Sequence, residues 1–261
     1  MNYLRLLWLY LRLGALNELE YRANFAIQLV QALIGLGTAL AGLAVVFAHT
    51  ETLAGWRADE LLALLGVYFL VGGLIGFVIQ PSMQRLMEDV RLGTLDFTLT
   101  KPEDAQLLVS ARQVQIWRLL DVLLGMGVLL TALLRLRADV GAGHALAFGA
   151  ALLAGGAIVY SFWLILATTT FWFVRVDNIL VIFESMYQAG RWPVGIYPPW
   201  LRAALTFLVP VAFAVTVPAE ALVGRADAAT LAGAGALALA LLALSRWFWG
   251  FGVRRYAGAS A

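Results

Sequence analysis

Two carboxylates, Asp121 and Glu184, sit inside runs of residues that are otherwise almost wholly apolar. At the centre of a membrane an ionised acid costs roughly 2.5–3.5 kcal/mol, and less near an interface, so each calls for a partner, a proton or a ligand. Asp121 follows Arg118 by one helical turn, and an ion pair between them is the simpler reading; a place in a transport pathway is the other. Glu184 has Asp177 before it, of the same sign, and its next basic neighbour, Arg191, comes two turns later. Its position fits contact with a cationic substrate, proton relay or pairing across a subunit interface. It fits equally a helix that starts later and leaves the carboxylate among headgroups.

A third concentration of reactive side chains runs from Gln80 to Arg118, with five acidic and five basic residues. Mixed signs on short helical pieces suit docking onto another protein, because a stretch made for anionic lipid would carry net positive charge. Within it, Gly93 permits a helix stop, Asp96 is able to cap the next turn, and Pro102 ends an extended run or opens the next helix. The plainer reading is a solvated loop with ordinary turn chemistry.

Other chemistries are poorly served. There is no cysteine, so disulfides, thiolate metal sites and cysteine nucleophiles are excluded. The two histidines, His49 and His144, lie in polar breaks between apolar runs, and no metal site is expected. Ser161 falls within a span, but neither histidine is at membrane depth to serve as its base. The one lysine, Lys101, is followed by Pro102, which rules out the Gly-Lys-Ser/Thr of a P-loop in this chain. A net charge of +2 gives no reason to expect nucleic acid. No catalytic residue and no cofactor is assigned to the chain itself.

The elements that hold these residues are set by composition. Of the 261 residues 62% are apolar and 13% charged, against about 25% charged in a soluble domain. Such a surface suits a bilayer, whose core of about 30 Å needs about 20 apolar residues per helix. The expected fold is all-α and polytopic, a single permease-like domain over 1–261 with about six transmembrane helices. The spans fall at Ala23–Ala48, Leu61–Ile79, Leu119–Leu134, Ala145–Phe173, Ile179–Val194 and Ala228–Phe248. Gly72-x-x-x-Gly76 reads as ordinary close packing, Trp247 and Trp249 beside Arg246 as interfacial anchors, and the aromatics from Tyr160 to Phe173 as lipid-facing or interfacial. Pro193, Pro198, Pro199, Pro210 and Pro218 break the stretch before the last span, where two short helices that dip in and return fit better than one crossing. Residues 2–20 place Asn2, Arg5, Arg12 and Glu20 opposite Leu4, Leu7, Trp8 and Leu11, the pattern of an interfacial helix over 1–22. Arg5 and Arg12 interrupt this stretch, so a cleavable signal is not expected. With both termini cytoplasmic, twelve of the 18 basic residues lie inside and six outside, in keeping with the positive-inside rule.

Three stretches on this plan carry a family resemblance. They are Glu20-Tyr21-Arg22-Ala23-Asn24-Phe25, Gly93 through Pro102 in the form Gly-x-Leu-Asp-x-x-Leu-x-Lys-Pro, and Tyr197-Pro198-Pro199-Trp200-Leu201 followed by Pro210 and Pro218. Together the chain resembles the permease subunit of bacterial type-2 ABC transporters, the exporter-like branch. That resemblance implies two permeases, identical or paralogous, and two copies of a separate cytoplasmic ATPase that binds ATP and Mg. It implies that residues 80–118 hold the coupling segment, with Glu88, Asp89, Arg91, Gly93, Asp96, Lys101 and Pro102 as candidate docking residues. It also implies an outer re-entrant hairpin over 195–225 that includes Pro198, Pro199, Trp200, Pro210 and Pro218. The single lysine and abundant alanine and glycine suit a GC-rich bacterium, and the resemblance implies an efflux protein of its plasma membrane. The rival class, an ion-coupled secondary transporter, needs paired broken helices and symmetry-related repeats, of which one proline-rich break and no second copy are seen.

Overall fold

The structure, a computed structural model, describes residue 12 and residues 22–136, 141–173 and 177–256. The interfacial helix expected over 1–22 falls, Arg12 and Arg22 apart, outside the described residues. Every regular element described is helical. In chain order these are α1 Arg22–Phe47, α2 Ala58–Leu74, α3 Gln80–Leu92, α4 Asp96–Leu99, α5 Ala105–Ser110, α6 Leu119–Leu136, α7 Ala142–Thr169, α8 Asp177–Gln188, α9 Pro199–Ala203, α10 Val217–Leu222 and α11 Ala228–Val253.

Helix α2 is apolar around its whole circumference, the pattern of a helix surrounded by others. Every residue from Leu61 to Phe69 is buried, whereas no residue of α1 from Phe25 to Phe47 is. Helix α6 lies against α2 in the opposite direction, and glycines set the distance. A Cβ on Gly125 would stand 2.4 Å from the Leu70 nitrogen, and one on Gly66 would stand 2.8 Å from that of Leu129. Small residues allow such backbone approach where lipid gives helices no hydrophobic reason to associate. Helices α7 and α11 meet at their C-terminal ends, where Trp249 is buried against Phe171 and Phe248 stacks on Trp172. Trp163 is also fully buried, so the aromatics expected on the lipid face are divided between core and surface.

Among the described residues five single helices are long and apolar enough to cross a membrane: Phe25–Phe47, Ala58–Leu92, Ile116–Leu136, Ala142–Thr169 and Ala228–Val253. A sixth results if Pro199–Leu208 and Ala212–Leu222, bent by 78° across their break, count as one. The sequence expectation differs from this at two places. Helix α8 has 12 residues, about 18 Å at helical rise, and then tightens into a 3-10 turn over Ala189–Arg191. Pro193 holds Trp192 extended and ends it there. The second span, for its part, does not stop at Ile79 but runs on as α3, through one π-helical turn over Ile75–Ile79. Pro81 explains that turn. It cannot donate to the Phe77 carbonyl four residues back, and the Gln115 N–H takes its place at 2.9 Å.

Candidate functional site

Two places gather the polar residues of this apolar chain. The first is a cavity of about 240 Å³ between α1, α2, α6 and α8. Gln28 and Gln31 line it from α1, Tyr68 and Gly72 from α2, Arg118 and Asp121 from the start of α6, and Glu184, Tyr187, Gln188 and Arg191 from α8 and its 3-10 turn. Asp121 and Glu184, 63 residues apart in the chain (184 minus 121), therefore face one space. Arg118 reaches Asp121 at 3.3 Å, with its stem over Gly76, where a Cβ would collide with it. Its Nε is buried without a hydrogen-bond partner. The Tyr187 ring fills the room left at Gly72, stacks on Tyr68 at 5.0 Å and donates its hydroxyl to the Tyr68 carbonyl at 2.9 Å. Arg191 lies over the Tyr68 ring at 5.5 Å, with its Nε 3.4 Å from the Tyr68 hydroxyl. Glu184 is exposed and makes no hydrogen bond or ion pair among the described residues.

The second place is the charged segment from Gln80 to Arg118. Gly93 ends α3 in the left-handed region at φ 70°, which favours glycine, and the Thr94 N–H closes the turn on the Asp89 carbonyl at 2.9 Å. Asp89 is the fully buried hub beneath. It pairs with Arg112 and with Arg85 at 3.2 Å and accepts the Thr94 hydroxyl at 2.9 Å. Arg112 also reaches the Thr98 hydroxyl at 3.1 Å, which ties α3, α4 and the returning chain together. Glu88 binds Arg85 at 3.1 Å on the surface. Asp96 is the first residue of α4 and not its cap, a position held by buried Leu95. Pro102 neither ends an extended run nor opens a helix; it lies in a bend before α5, which Asp104 caps by accepting from the Gln106 and Leu107 N–H groups. Arg91, Lys101 and Pro102 are exposed.

Sequence reasoning missed two features here. Phe97 and Leu92 are 74% and 56% exposed beside those charges, an apolar patch on a polar rim. The run of charge drew attention away from both. The second feature is a clamp. Arg246, beside Trp247 and Trp249, binds Asp104 through both oxygens, 2.9 Å at Oδ1, and the Gln106 side chain at 2.9 Å. Gln106 and Ser110 in turn hold the Tyr160 hydroxyl at 3.1 and 2.7 Å. The segment is thereby fastened to α7 and α11. The Arg246 guanidinium holds the Asp104 carboxyl below the usual carboxylate value.

Of the proline-rich residues, Pro198 precedes α9, Pro199 opens it, Pro210 lies in the break and Pro218 stands in the first turn of α10. Trp200 projects outward. The second arm is docked on α7 at Gly155, where a Cβ would meet the Phe213 carbonyl at 2.3 Å.

A family model described as ABC-2 family transporter protein matches residues 33–260, which takes in the charged segment, the broken helix pair and the cavity lining apart from Gln28, Gln31 and Ala32. The chain belongs to the ABC-2 transporter family. No curated protein and no solved structure matches it. For this ABC-2 protein the family gives a transport permease role in a multi-pass membrane protein, not an enzyme's, and in general an ATPase subunit as partner.

Proposed function

We propose that this chain is the permease of an ATP-driven exporter in a bacterial plasma membrane, paired with a second permease, identical or paralogous, and driven by two copies of a separate ATPase that binds ATP and Mg. The observation that carries this reading is the patch of Phe97 and Leu92 among exposed Arg91, Lys101 and Pro102. It stands on a base fixed by Asp89 and Arg112, and aromatic anchors on a rigid, charge-rimmed support are what a partner protein binds most strongly. The segment would face the cytoplasm with both termini, the broken pair would form a re-entrant hairpin on the outer side, and the cavity would open onto the pathway between two permeases. The weak burial of α1 and the exposed Glu184, Ser185 and Gln188 of α8 agree with a covered face there.

The test is recovery of a P-loop ATPase with the tagged chain in mild detergent. Phe97→Ala should lower that recovery at least about tenfold, as loss of a central anchor does, while insertion in the membrane is unchanged. Undiminished recovery with Phe97→Ala refutes the docking assignment. Recovery of the folded chain with no ATPase, and ion-driven transport without ATP, would support the secondary-transporter alternative instead.

A further inference from the structure

The cavity contains two charges that have no ionic partner among the described residues. Arg118 and Asp121 are paired. Glu184 makes no hydrogen bond or ion pair among the described residues, and Arg191 meets only the neutral ring and hydroxyl of Tyr68. The two are seven residues apart, on the same face, and separated by roughly 10.5–12 Å along the axis, from the plain helical rise to that with the tighter 3-10 turn after Gln188. Between their levels lie the stacked rings of Tyr187 and Tyr68, with the Tyr187 hydroxyl on the Tyr68 carbonyl and the Tyr68 hydroxyl 3.4 Å from Arg191.

An identical second permease does not bring Glu184 and Arg191 to one level. In a two-fold pair with its axis along the membrane normal, every residue stays at the depth of its counterpart. Glu184 then faces the level of the other Glu184, and Arg191 that of the other Arg191. Assembly makes one acidic and one basic level, and the offset between them survives. A ligand that carries both charges would satisfy both levels at once.

We propose that the cavity binds a zwitterionic amphiphile, with its cationic centre on Glu184, its carboxylate or phosphate on Arg191, and its apolar body along Tyr187 and Tyr68. This rests on the reading of the cavity as part of the transport pathway. A plain cation fits less well. Coulomb energy falls inversely with distance, so repulsion from Arg191 at about 11 Å removes roughly a third of the attraction gained about 4 Å from Glu184. It also leaves Arg191 without a counter-charge, a penalised state away from water. A plain anion meets the converse difficulty at Glu184. A zwitterion answers both.

Three xanthene dyes of closely matched size test this on the full chain, extracted with its native partners into lipid nanodiscs without nucleotide. They are tetramethylrhodamine (zwitterionic), its methyl ester (cationic) and fluorescein (anionic), with binding read by fluorescence anisotropy near neutral pH. Tetramethylrhodamine should bind about tenfold or more tighter than either single-charge dye. Glu184→Gln should bring it down to the affinity of fluorescein, and Arg191→Gln to that of the ester. Retained binding of one dye in each variant separates lost recognition from misfolding. Equal affinities in the unaltered protein, or an order that neither variant changes, would overturn the proposal. Because no nucleotide is used, failure of the ATPase reading leaves this dye order unaffected, and the two failures remain distinguishable.

Discussion

Replacing Asp89 with asparagine should loosen the turn from Gly93 to Leu99 while the helices behind it stay folded. Asp89 is buried completely and is reached by Arg112, by Arg85 at 3.2 Å and by the Thr94 hydroxyl at 2.9 Å. Breaking a fully dry ion pair costs about 3–5 kcal/mol, and an exposed one is worth less than about 1 kcal/mol. Here the arginines retain 28% and 38% of their side-chain exposure, so water takes up part of the loss. The expected penalty lies between these limits, about 2 kcal/mol. If it falls on local opening, amide exchange over residues 89–100 should quicken roughly thirtyfold. The assay is hydrogen exchange by mass spectrometry on the full chain in nanodiscs, with Leu61–Phe69 of α2 as the internal reference. Arg112→Gln should produce a similar effect, and the double variant little more than either alone. A change of less than about threefold, or equal acceleration in α2, would show that Asp89 is not the hub described.

Three further perturbations test the geometry. Gly125→Leu should abolish folded protein, measured as monodisperse material in size-exclusion chromatography, because even a Cβ there meets the Leu70 backbone at 2.4 Å; Gly127→Leu, with open space around it, should not. Gly93→Ala should lower the melting temperature through a cost of about 1 kcal/mol for a side chain at positive φ. The folded value of Asp104 is depressed by Arg246, so its contribution is present above the unfolded carboxylate value and is lost as pH falls through the folded one. Thermal stability measured across the acid range should accordingly lose part of its pH dependence in Asp104→Asn, and an identical profile would refute the clamp.

The features legible in the sequence were those that depend on local composition. Long apolar runs announce spans because their length must match the hydrocarbon, and Gly93 announced a helix stop because few other residues adopt its φ. The short α8 was half legible: Pro193 ends it, but apolar residues continue past Gly190 and extend the apparent span to Val194. Asp96 looked like a cap by type and position, yet buried Leu95 holds the cap position of α4, and the aspartate that does cap a helix is Asp104, on α5. The pairing of Arg246 with Asp104 was not legible, because the two lie 142 residues apart. The cavity was beyond any local pattern, since it needs the faces of four helices at one level.

The two polar places are parts of one element. Tyr68 and Gly72 line the cavity from the same helical run that carries Asp89, and that run passes through the π turn at Ile75–Ile79. Such turns are frequent where helices bend for function. The other end of the charged segment returns to the same turn, where Gln115 bonds the Phe77 carbonyl and Gln113 exchanges hydrogen bonds with the Ser82 hydroxyl at 2.8 and 3.2 Å. Three residues after Gln115 comes Arg118, whose stem rests on Gly76 and whose head holds Asp121 in the cavity. If Phe97 is the docking anchor proposed above, a force on it would reach the cavity by two routes, through α3 and through Arg118, both of which converge on the five residues of the π turn. Displacement there would move Arg118 and Tyr68 relative to Glu184 and Arg191, which stand on the weakly packed α8. The charges that would hold a zwitterion on α8 need not move at all for the wall opposite them to change.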